Sequence, residues 1–292
     1  MTDPTLLILA AGNARRYGGI KPLAPIGLNG EGVIDLLAND ALSAGFRRLV
    51  VVINPTTGPD IQSHIAEHWA TDRIDVEFAI QETPHGTVDA VLCAHEAIGD
   101  AAFAVSNADD LYGPAALTHL HRHLSTSPAV NAMVAFQLDL TLVGTGPVTR
   151  GVCHIDAGGR LVGIDERRGV HRTETGSIVV DDLQDPYELA PTTRVSMNLW
   201  SFGPGIWDLF KRAMKERKDD QPEVLLPVVV DHLIHGTWAD VPESLRTVTV
   251  YTSDEHCVGV THPGDLELVQ AHIAHQVDQG ARVGALSGSL YH

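Results

Sequence analysis

Three cations stand on a glycine-rich segment directly after the first apolar run of the chain. The segment AAGNARRYGGIK, residues 10–21, contains Gly12, Arg15, Arg16 and Lys21. A glycine-rich turn after a strand presents backbone N–H groups to an anion, and nearby cations strengthen such a site. The segment therefore predicts a loop that binds a phosphate or a polyphosphate.

Two common phosphate-binding motifs do not fit this loop. The Walker pattern requires four residues between its glycines, but five separate Gly12 from Gly18, and the lysine comes later. The dinucleotide fingerprint requires glycines where Ala14 and Tyr17 stand. From this stretch alone, a solvated basic loop without a function stays open as the alternative.

The elements that must position this loop alternate between strands and helices. Apolar runs predict strands at Thr5–Ala10, Arg48–Ile53, Ile74–Ile80, Ala102–Val105 and Asn131–Phe136. Helical spacing predicts helices at about 34–44, 59–71, 86–98 and 113–125. This alternation, with the fully apolar run LVVVI, predicts an α/β fold with a doubly wound, mainly parallel, Rossmann-like sheet.

The pattern changes near residue 145. RGVCHIDAGGRLVGIDERR predicts a β-hairpin around an Asp-Ala-Gly-Gly turn, and a polar stretch, 171–193, follows it. An extended segment RVSMNLWSF comes next, and the remaining elements are helices near 204–217 and 222–235, a strand Thr247–Tyr251 and a helix from about Pro263 to Gln279. We predict a single domain over 1–292 with a β-hairpin-containing insertion.

The composition disfavours several classes of partner. The net charge of −17 over 292 residues disfavours nucleic acid and anionic membranes, which attract basic surfaces. Cys93, Cys153 and Cys257 form no CxxC, so neither a disulfide framework nor a zinc site is expected. The apolar run Leu6–Ala11 is too short for a signal core or a membrane span. We therefore expect a soluble, cytoplasmic protein.

Four blocks in order resemble the signatures of nucleotidyltransferases, of both the sugar-1-phosphate and the cytidylyltransferase type. In LAAGNARRYGGIKPLAPIG, Gly12, Arg16 and Lys21 match the family's loop, although Ala14 replaces its second glycine and Ile20 stands where proline often precedes the lysine. The resemblance covers most of the chain. It implies a glycosyltransferase-A-type fold in which 1–145 form the nucleotide-binding half and 146–292 the acceptor-binding half.

The second and third blocks are QETPHGTVDAVLCA, which resembles the base-recognition segment, and AVSNADDLYG, which resembles a strand-end metal block. A glutamine amide offers a base both a donor and an acceptor, and a glycine permits close approach of the backbone. The nucleotide-binding residues that the resemblance implies are Leu9, Ala10, Ala11, Gly12, Asn13, Gln81, Gly86, Thr87, Asn107 and Ala108.

The fourth block is the hairpin, which ends in Glu166–Arg167 where relatives have Glu-Lys-Pro and contact the sugar phosphate. The acceptor-binding residues implied are Asp110, Glu166, Arg167 and Asn198. Asp110 has alternatives: a contact to the metal, direct or through water, or a hydrogen bond within its loop. The base and the acceptor stay open, since a hexose, a cyclitol, an amino-alcohol phosphate or a phosphonate presents the same attacking oxygen.

The implied reaction is attack by a phosphate monoester on the α-phosphorus of a nucleoside triphosphate, with release of pyrophosphate. Both reactants are anions, so catalysis requires charge neutralisation and in-line geometry. The resemblance implies Mg²⁺ as the cofactor, with Asp109 and Asp265 as metal ligands, and it assigns catalysis to Arg16, Lys21 and Asp109. Asp265 is equally well explained as the cap of the last helix.

Other interpretations stay open. A metal-dependent glycosyltransferase would hold a finished nucleotide sugar, but its D-x-D motif does not match the adjacent Asp109–Asp110. A sensor of nucleotide sugars would bind without releasing pyrophosphate.

The histidines of THLHRHL are expected on a solvated helix face, and Trp200 and Trp207 are expected in the core. Relatives are often dimers or tetramers, so a homo-oligomer is also open.

Overall fold

The computed structural model describes residues 3–12, 19–70, 72–144, 146–181, 186–260, 263–280 and 282. Its strands are β1 Thr5–Leu9, β2 Arg48–Ile53, β3 Asp75–Ile80, β4 Phe103–Asn107, β5 Asp110–Leu111, β6 Asn131–Gln137, β7 Val148–Ile155, β8 Leu161–Arg172, β9 Ile178–Val180, β10 Tyr187–Leu189, β11 Arg194–Phe202, β12 Val248–Ser253 and β13 Val258–Gly259. Its α-helices are α1 Val33–Ala44, α2 Gly58–His68, α3 Thr87–Cys93, α4 His95–Ile98, α5 Pro114–Thr126, α6 Ile206–Lys215, α7 Leu226–Ile234, α8 Glu243–Arg246 and α9 Leu266–Asp278.

The centre of the fold is a mostly parallel sheet. Neighbouring strands pair in the order β3-β2-β1-β4-β11-β6-β12, and β11 alone runs antiparallel to its two neighbours. Successive residues of β1 face opposite sides, so Leu6 and Ile8 enter one core and Leu7 the other. Both faces are covered by helices, which explains the apolar strands and confirms the predicted doubly wound α/β class.

The two helical layers follow from which apolar side chains each core contains. Ile34 of α1, Ile61 of α2, Leu117 of α5 and Val269 of α9 pack on one face of the sheet. The other face is covered by α3, α6 and α7 together with the short α4. Trp200 and Trp207 are buried in this second core, as the sequence predicted.

The β-rich part of the chain branches from β11. Strands β7 and β8 form the predicted hairpin, and β9 and β10 extend it over a small separate core that contains Val170 and Val195. The polar stretch 171–193 therefore contains two short strands that its composition did not reveal. The pairing register of β11 shifts between Ser196 and Trp200, where the strand exchanges β7 for β4 as its neighbour.

Several predicted elements differ in detail from the structure. The helix expected at 86–98 divides into α3 and α4 at Ala94. The helix expected at 222–235 begins at Leu226, because the segment before it pairs with another loop and Pro227 suits a first turn. In the described part of the chain, no helix is both long enough and apolar enough to cross a membrane.

The prediction that the THLHRHL histidines lie on a solvated face is wrong for His123, and His119 and His121 are half-buried. His123 is buried, with its ring nitrogens 3.1 Å from the Tyr251 hydroxyl and 2.8 Å from the Val130 carbonyl oxygen. The His119 ring stacks on Tyr251, and the His121 ring meets Phe46 edge-on. These three side chains pack α5 against neighbouring elements of the fold.

Candidate active site

A cavity of about 310 Å³ opens at the carboxyl end of β4. Its walls are the loop after β4, the β7–β8 hairpin, the bulge of β11 and the start of α7. Ligands bind at this end of the strands in open α/β sheets. Seven residues predicted from the sequence line it: Thr87, Asn107, Asp109, Asp110, Glu166, Asn198 and Asp265.

Lys21 and Asp109 meet at this site. Lys21 begins a single 3₁₀ turn, Lys21–Leu23, whose second residue, Pro22, is buried and anchors the turn. The Lys21 Nζ lies 3.6 Å from Asp109 Oδ2, and both side chains are partly exposed. An exposed ion pair contributes at most about 1 kcal/mol to stability. The pair therefore matters mainly as a cation and a carboxylate placed together at the substrate cavity.

A hydrogen-bond network ties the loop after β4 to the β11 bulge. The Asn107 Nδ2 donates to Asp110 Oδ2 at 2.9 Å, and the Asn107 backbone N–H donates to the Tyr112 hydroxyl at 2.9 Å. Tyr112 is fully buried and its hydroxyl donates to the Met197 carbonyl at 3.0 Å. Residues about 85 positions apart in the chain are thereby joined in one wall of the cavity.

Asp110 lies in an environment that disfavours its charge. Burial, and then the neighbouring Asp109 carboxylate, raise the pKa of Asp110 to about 6. Strand β13 pairs with β5 directly over it, and a Cβ at Gly259 would collide with Asp110 Oδ1. A glycine at 259 is therefore required by the close approach of Asp110.

The predicted nucleotide-binding loop is clamped by the segment before α7. Gly86 has φ 98°, and a Cβ there would collide with the backbone of Val224. The Val88 N–H donates to the Val224 carbonyl at 3.0 Å, and the Leu226 N–H donates to Thr87 Oγ1 at 2.8 Å. These contacts bring the QETPHGT block beside the EVLLP segment, 223–227.

Gln81 forms hydrogen bonds that stabilise this loop. Its Nε2 donates to the Gly86 carbonyl at 3.2 Å and to Asp89 Oδ2 at 2.7 Å, and the side chain is buried away from the cavity lining. Gln81 thus holds the conformation of Gly86, and base reading by its amide stays a prediction.

The first loop is described only in part. The Leu9 carbonyl accepts the Ala108 N–H at 3.1 Å, and the Ala11 carbonyl accepts Asn54 Nδ2 at 3.1 Å. These bonds place the chain from Leu9 through Ala10 and Ala11 to Gly12 at the same sheet edge as Ala108. Asn13 and Arg16, predicted to bind nucleotide and to catalyse, lie outside the described residues.

Arg167 is not brought to the cavity. Successive residues of a strand face opposite sides, so Glu166 lines the cavity and Arg167 turns away from it. The Arg167 Nη2 instead donates to Asp165 Oδ2 at 3.0 Å. The sequence therefore located the right strand, but only Glu166 faces the acceptor side.

Four polar residues of the cavity were not singled out from the sequence, namely Thr141, Thr149, Arg150 and Ser196. Arg150 lies on β7 immediately before Gly151, and its Nε and Nη2 donate to Oγ1 and the carbonyl oxygen of Thr141. Arg150 is the first residue of the quoted hairpin motif RGVC, which was the available signal. Thr141 stands in a 3₁₀ turn after β6, where nothing in the local sequence indicates a site.

The carboxylates of the cavity are the type of ligand that a magnesium ion takes. Asp109 and Asp265 both line it, and Asp265 stands at the N-cap position of α9 without a side-chain capping hydrogen bond. No group of three or more His, Cys, Asp or Glu is arranged to hold a metal within the described ranges. Mg²⁺ commonly takes one or two carboxylates together with substrate phosphates and water, so it does not need a larger group of protein ligands.

The fold and the lining of the cavity agree with the resemblance to nucleotidyltransferases. Residues 6–146 match the family model of the MobA-like NTP transferase domain. The bifunctional protein GlmU of Sorangium cellulosum is 29% identical over 170 residues, which are 57% of this chain and 35% of that protein. The chain thus spans about a third of the length of this curated relative.

Two solved structures have the same fold at low sequence identity. A UDP-glucose pyrophosphorylase complexed with UDP-glucose matches with a TM-score of 0.61 and 16% identity, covering 94% of this chain and 100% of that one. The inositol-1-phosphate CTP transferase from T. maritima matches with a TM-score of 0.61 and 13% identity, covering 91% and 94%. Their names differ in both base and acceptor, so the shared fold leaves both open for this chain.

Proposed function

We propose that this protein is a nucleotidyltransferase that joins a nucleoside monophosphate, taken from a nucleoside triphosphate, to a small phosphorylated acceptor. A sugar 1-phosphate is the default acceptor, and the products are then a nucleoside-diphosphate sugar and pyrophosphate. The observation that carries the proposal is the placement of Lys21 and Asp109 beside a cavity bounded by the predicted nucleotide loop and the predicted acceptor hairpin.

The residues have separate tasks in this reaction. An acceptor phosphate oxygen forms a bond to the α-phosphorus, the bond from that phosphorus to the bridging oxygen breaks, and pyrophosphate leaves. Lys21 is placed to offset the charge on the α-phosphate and the departing pyrophosphate. Thr87 and the clamped loop around Gly86 hold the nucleotide side, and Glu166 with Asn198 holds the acceptor side.

Asp109 and Asp265 are the residues that would hold Mg²⁺. The bound ion supplies electrostatic stabilisation of phosphate oxygens during the transfer. The chain contributes by fixing Asp109 on a loop that is tied to the β11 bulge through Asn107 and Tyr112.

A matrix of triphosphates against phosphorylated acceptors tests the proposal. ATP, CTP, GTP, UTP and dTTP are each combined with hexose 1-phosphates, inositol 1-phosphate, an amino-alcohol phosphate and a phosphonate, and pyrophosphate release is measured. We expect release with one base and one acceptor class, and its loss when EDTA removes Mg²⁺. Silence across the matrix, together with tight binding of a finished nucleotide sugar, would contradict the proposal.

A further inference from the structure

The cavity wall has a marked imbalance of charge. Four carboxylate residues line it, namely Asp109, Asp110, Glu166 and Asp265. Among the described lining residues, Arg150 is the only lysine, arginine or histidine. A phosphorylated acceptor brings further negative charge, so a cation on this wall would favour its binding.

Arg150 is held in place by oxygens that carry no charge. Its Nε donates to Thr141 Oγ1 at 3.0 Å, its Nη2 to the Thr141 carbonyl at 2.6 Å, and its Nη1 to the Thr149 carbonyl at 2.9 Å. Among the described residues, Arg150 forms no ion pair within 4.0 Å. Burial disfavours its charge and lowers its pKa, while the more distant Asp110 acts in the opposite direction.

Two donors of Arg150 are left for a ligand. A guanidinium has five N–H groups, and the three bonds above use one each on Nε, Nη1 and Nη2. Within the described residues, one N–H on each terminal nitrogen has no other partner, and planar guanidinium donors suit phosphate oxygens. Arg150 pairs with Arg167 on β8, beside the Gly151–Glu166 pair, and it lines the same cavity as Glu166.

We propose that Arg150 binds the phosphate of the acceptor through these two N–H groups, and that Thr141 is its positioning residue. This inference rests on the proposed function and deepens it, because it names the protein group that orients the attacking phosphate. It also gives a role to a residue outside the Glu166–Arg167 pair, whose arginine faces away from the cavity.

Steady-state kinetics of pyrophosphate release test the role of Arg150. We expect Arg150→Gln to raise the KM of the acceptor roughly 10- to 100-fold while the KM of the triphosphate stays within about twofold, because one charge-assisted interaction is lost. Arg150→Lys keeps the positive charge but lacks the planar set of guanidinium donors, so its acceptor KM should lie between those of Arg150→Gln and the wild type. Arg212→Gln, at an exposed ion pair on α6, is the matched control and should match the wild type.

Variants of Thr141 test positioning separately. Thr141→Val removes the Oγ1 acceptor and should raise the acceptor KM by a smaller factor, whereas Thr141→Ser keeps the hydroxyl and should restore it. If Thr141 acted only through the packing of its methyl group, Thr141→Ser would not restore the acceptor KM. Equal kinetics of the valine and wild-type proteins would overturn the assignment of Thr141.

Binding of inorganic phosphate provides a readout that does not depend on turnover. In calorimetric titrations with Mg²⁺ present, wild type should bind inorganic phosphate, and Arg150→Gln should bind it at least about 10-fold more weakly. If wild type is active but Arg150→Gln keeps both the acceptor KM and the phosphate affinity, the inference on Arg150 is overturned and the proposed function stands. If wild type is inactive in the whole matrix, the proposed function fails, and the phosphate titration still decides whether Arg150 binds phosphate.

Discussion

Asn107 and Asn198 meet across the wall of the cavity, with Asn198 Nδ2 3.4 Å from Asn107 Oδ1. Asn198 also accepts a hydrogen bond from the buried indole of Trp200, whose Nε1 lies 3.0 Å from its Oδ1. Among the described residues other than glycine, Asn198 alone has a positive φ, 63°. Such strain is maintained where the surrounding structure and function require it, and asparagine tolerates this conformation better than most residues.

Asn198 has two roles that substitutions can test separately: it accepts the Trp200 hydrogen bond, and it lines the acceptor side of the cavity. Asn198→Asp keeps the oxygen that accepts from Trp200, so we expect a small loss of stability, but it adds a fifth carboxylate to the cavity and should raise the acceptor KM. Asn198→Ala leaves the Trp200 N–H without its acceptor and puts alanine in a left-handed conformation, so it should cost about 2–4 kcal/mol. Urea unfolding and acceptor KM measure the two effects; wild-type kinetics for the aspartate variant would contradict the acceptor role.

Lys21 and Asp109 should be essential for turnover and dispensable for folding. The two side chains form one partly exposed ion pair with each other, and such a pair contributes little stability. Lys21→Ala and Asp109→Ala are each expected to lower kcat by at least about 100-fold, the effect of removing one preorganised electrostatic group from a transition state. Lys211→Ala, at an exposed pair with Asp208 on α6, is the control. Near-normal kcat in either variant, with an unchanged melting temperature, would show that its assigned role is wrong.

The sequence correctly located the site residues that follow directly after the ends of parallel strands. Leu9 and Asn107 are paired neighbours in β1 and β4, so the segments after these parallel strands had to reach the same edge of the sheet. Arg150 and Thr141 depend instead on how a 3₁₀ turn after β6 lies against β7, which local sequence does not encode. Arg167 was misplaced because motif matching identifies a position and not the face of the strand.

Stability should vary with pH through His64 and Asp35. Asp35 is fully buried, and the hydrogen bond between His64 Nε2 and its carboxylate, at 2.9 Å, is the largest cause of the raised pKa of His64. A raised folded-state pKa gives stability that is fully present below the unfolded value of about 6.5 and is lost as pH rises through the folded value.

His64→Gln should therefore be destabilised more at pH 5.5 than at pH 8.5. Urea unfolding of both proteins at the two pH values gives the difference in unfolding free energy, and the pair at pH 8.5 serves as the internal reference. Comparing the two proteins cancels the contributions of the other fifteen histidines. A difference that is equal at both pH values, or larger at pH 8.5, would contradict the assignment of the raised pKa to this pair.

Gly86 should be required for the clamp as well as for its backbone conformation, and Gly176 offers a matched comparison. Both have a positive φ, 98° and 92°, but a Cβ at Gly176 meets no atom within 4 Å, whereas at Gly86 it would collide with the backbone of Val224. Gly176→Ala should thus cost only the backbone strain, about 1–2 kcal/mol. Gly86→Ala adds the displacement of 224–226 from the loop, so it should cost more stability and also raise the KM of the triphosphate. Unfolding by urea and steady-state kinetics decide this: equal losses of stability in the two variants, with the triphosphate KM unchanged, would mean that the contact with Val224 does not shape the nucleotide loop.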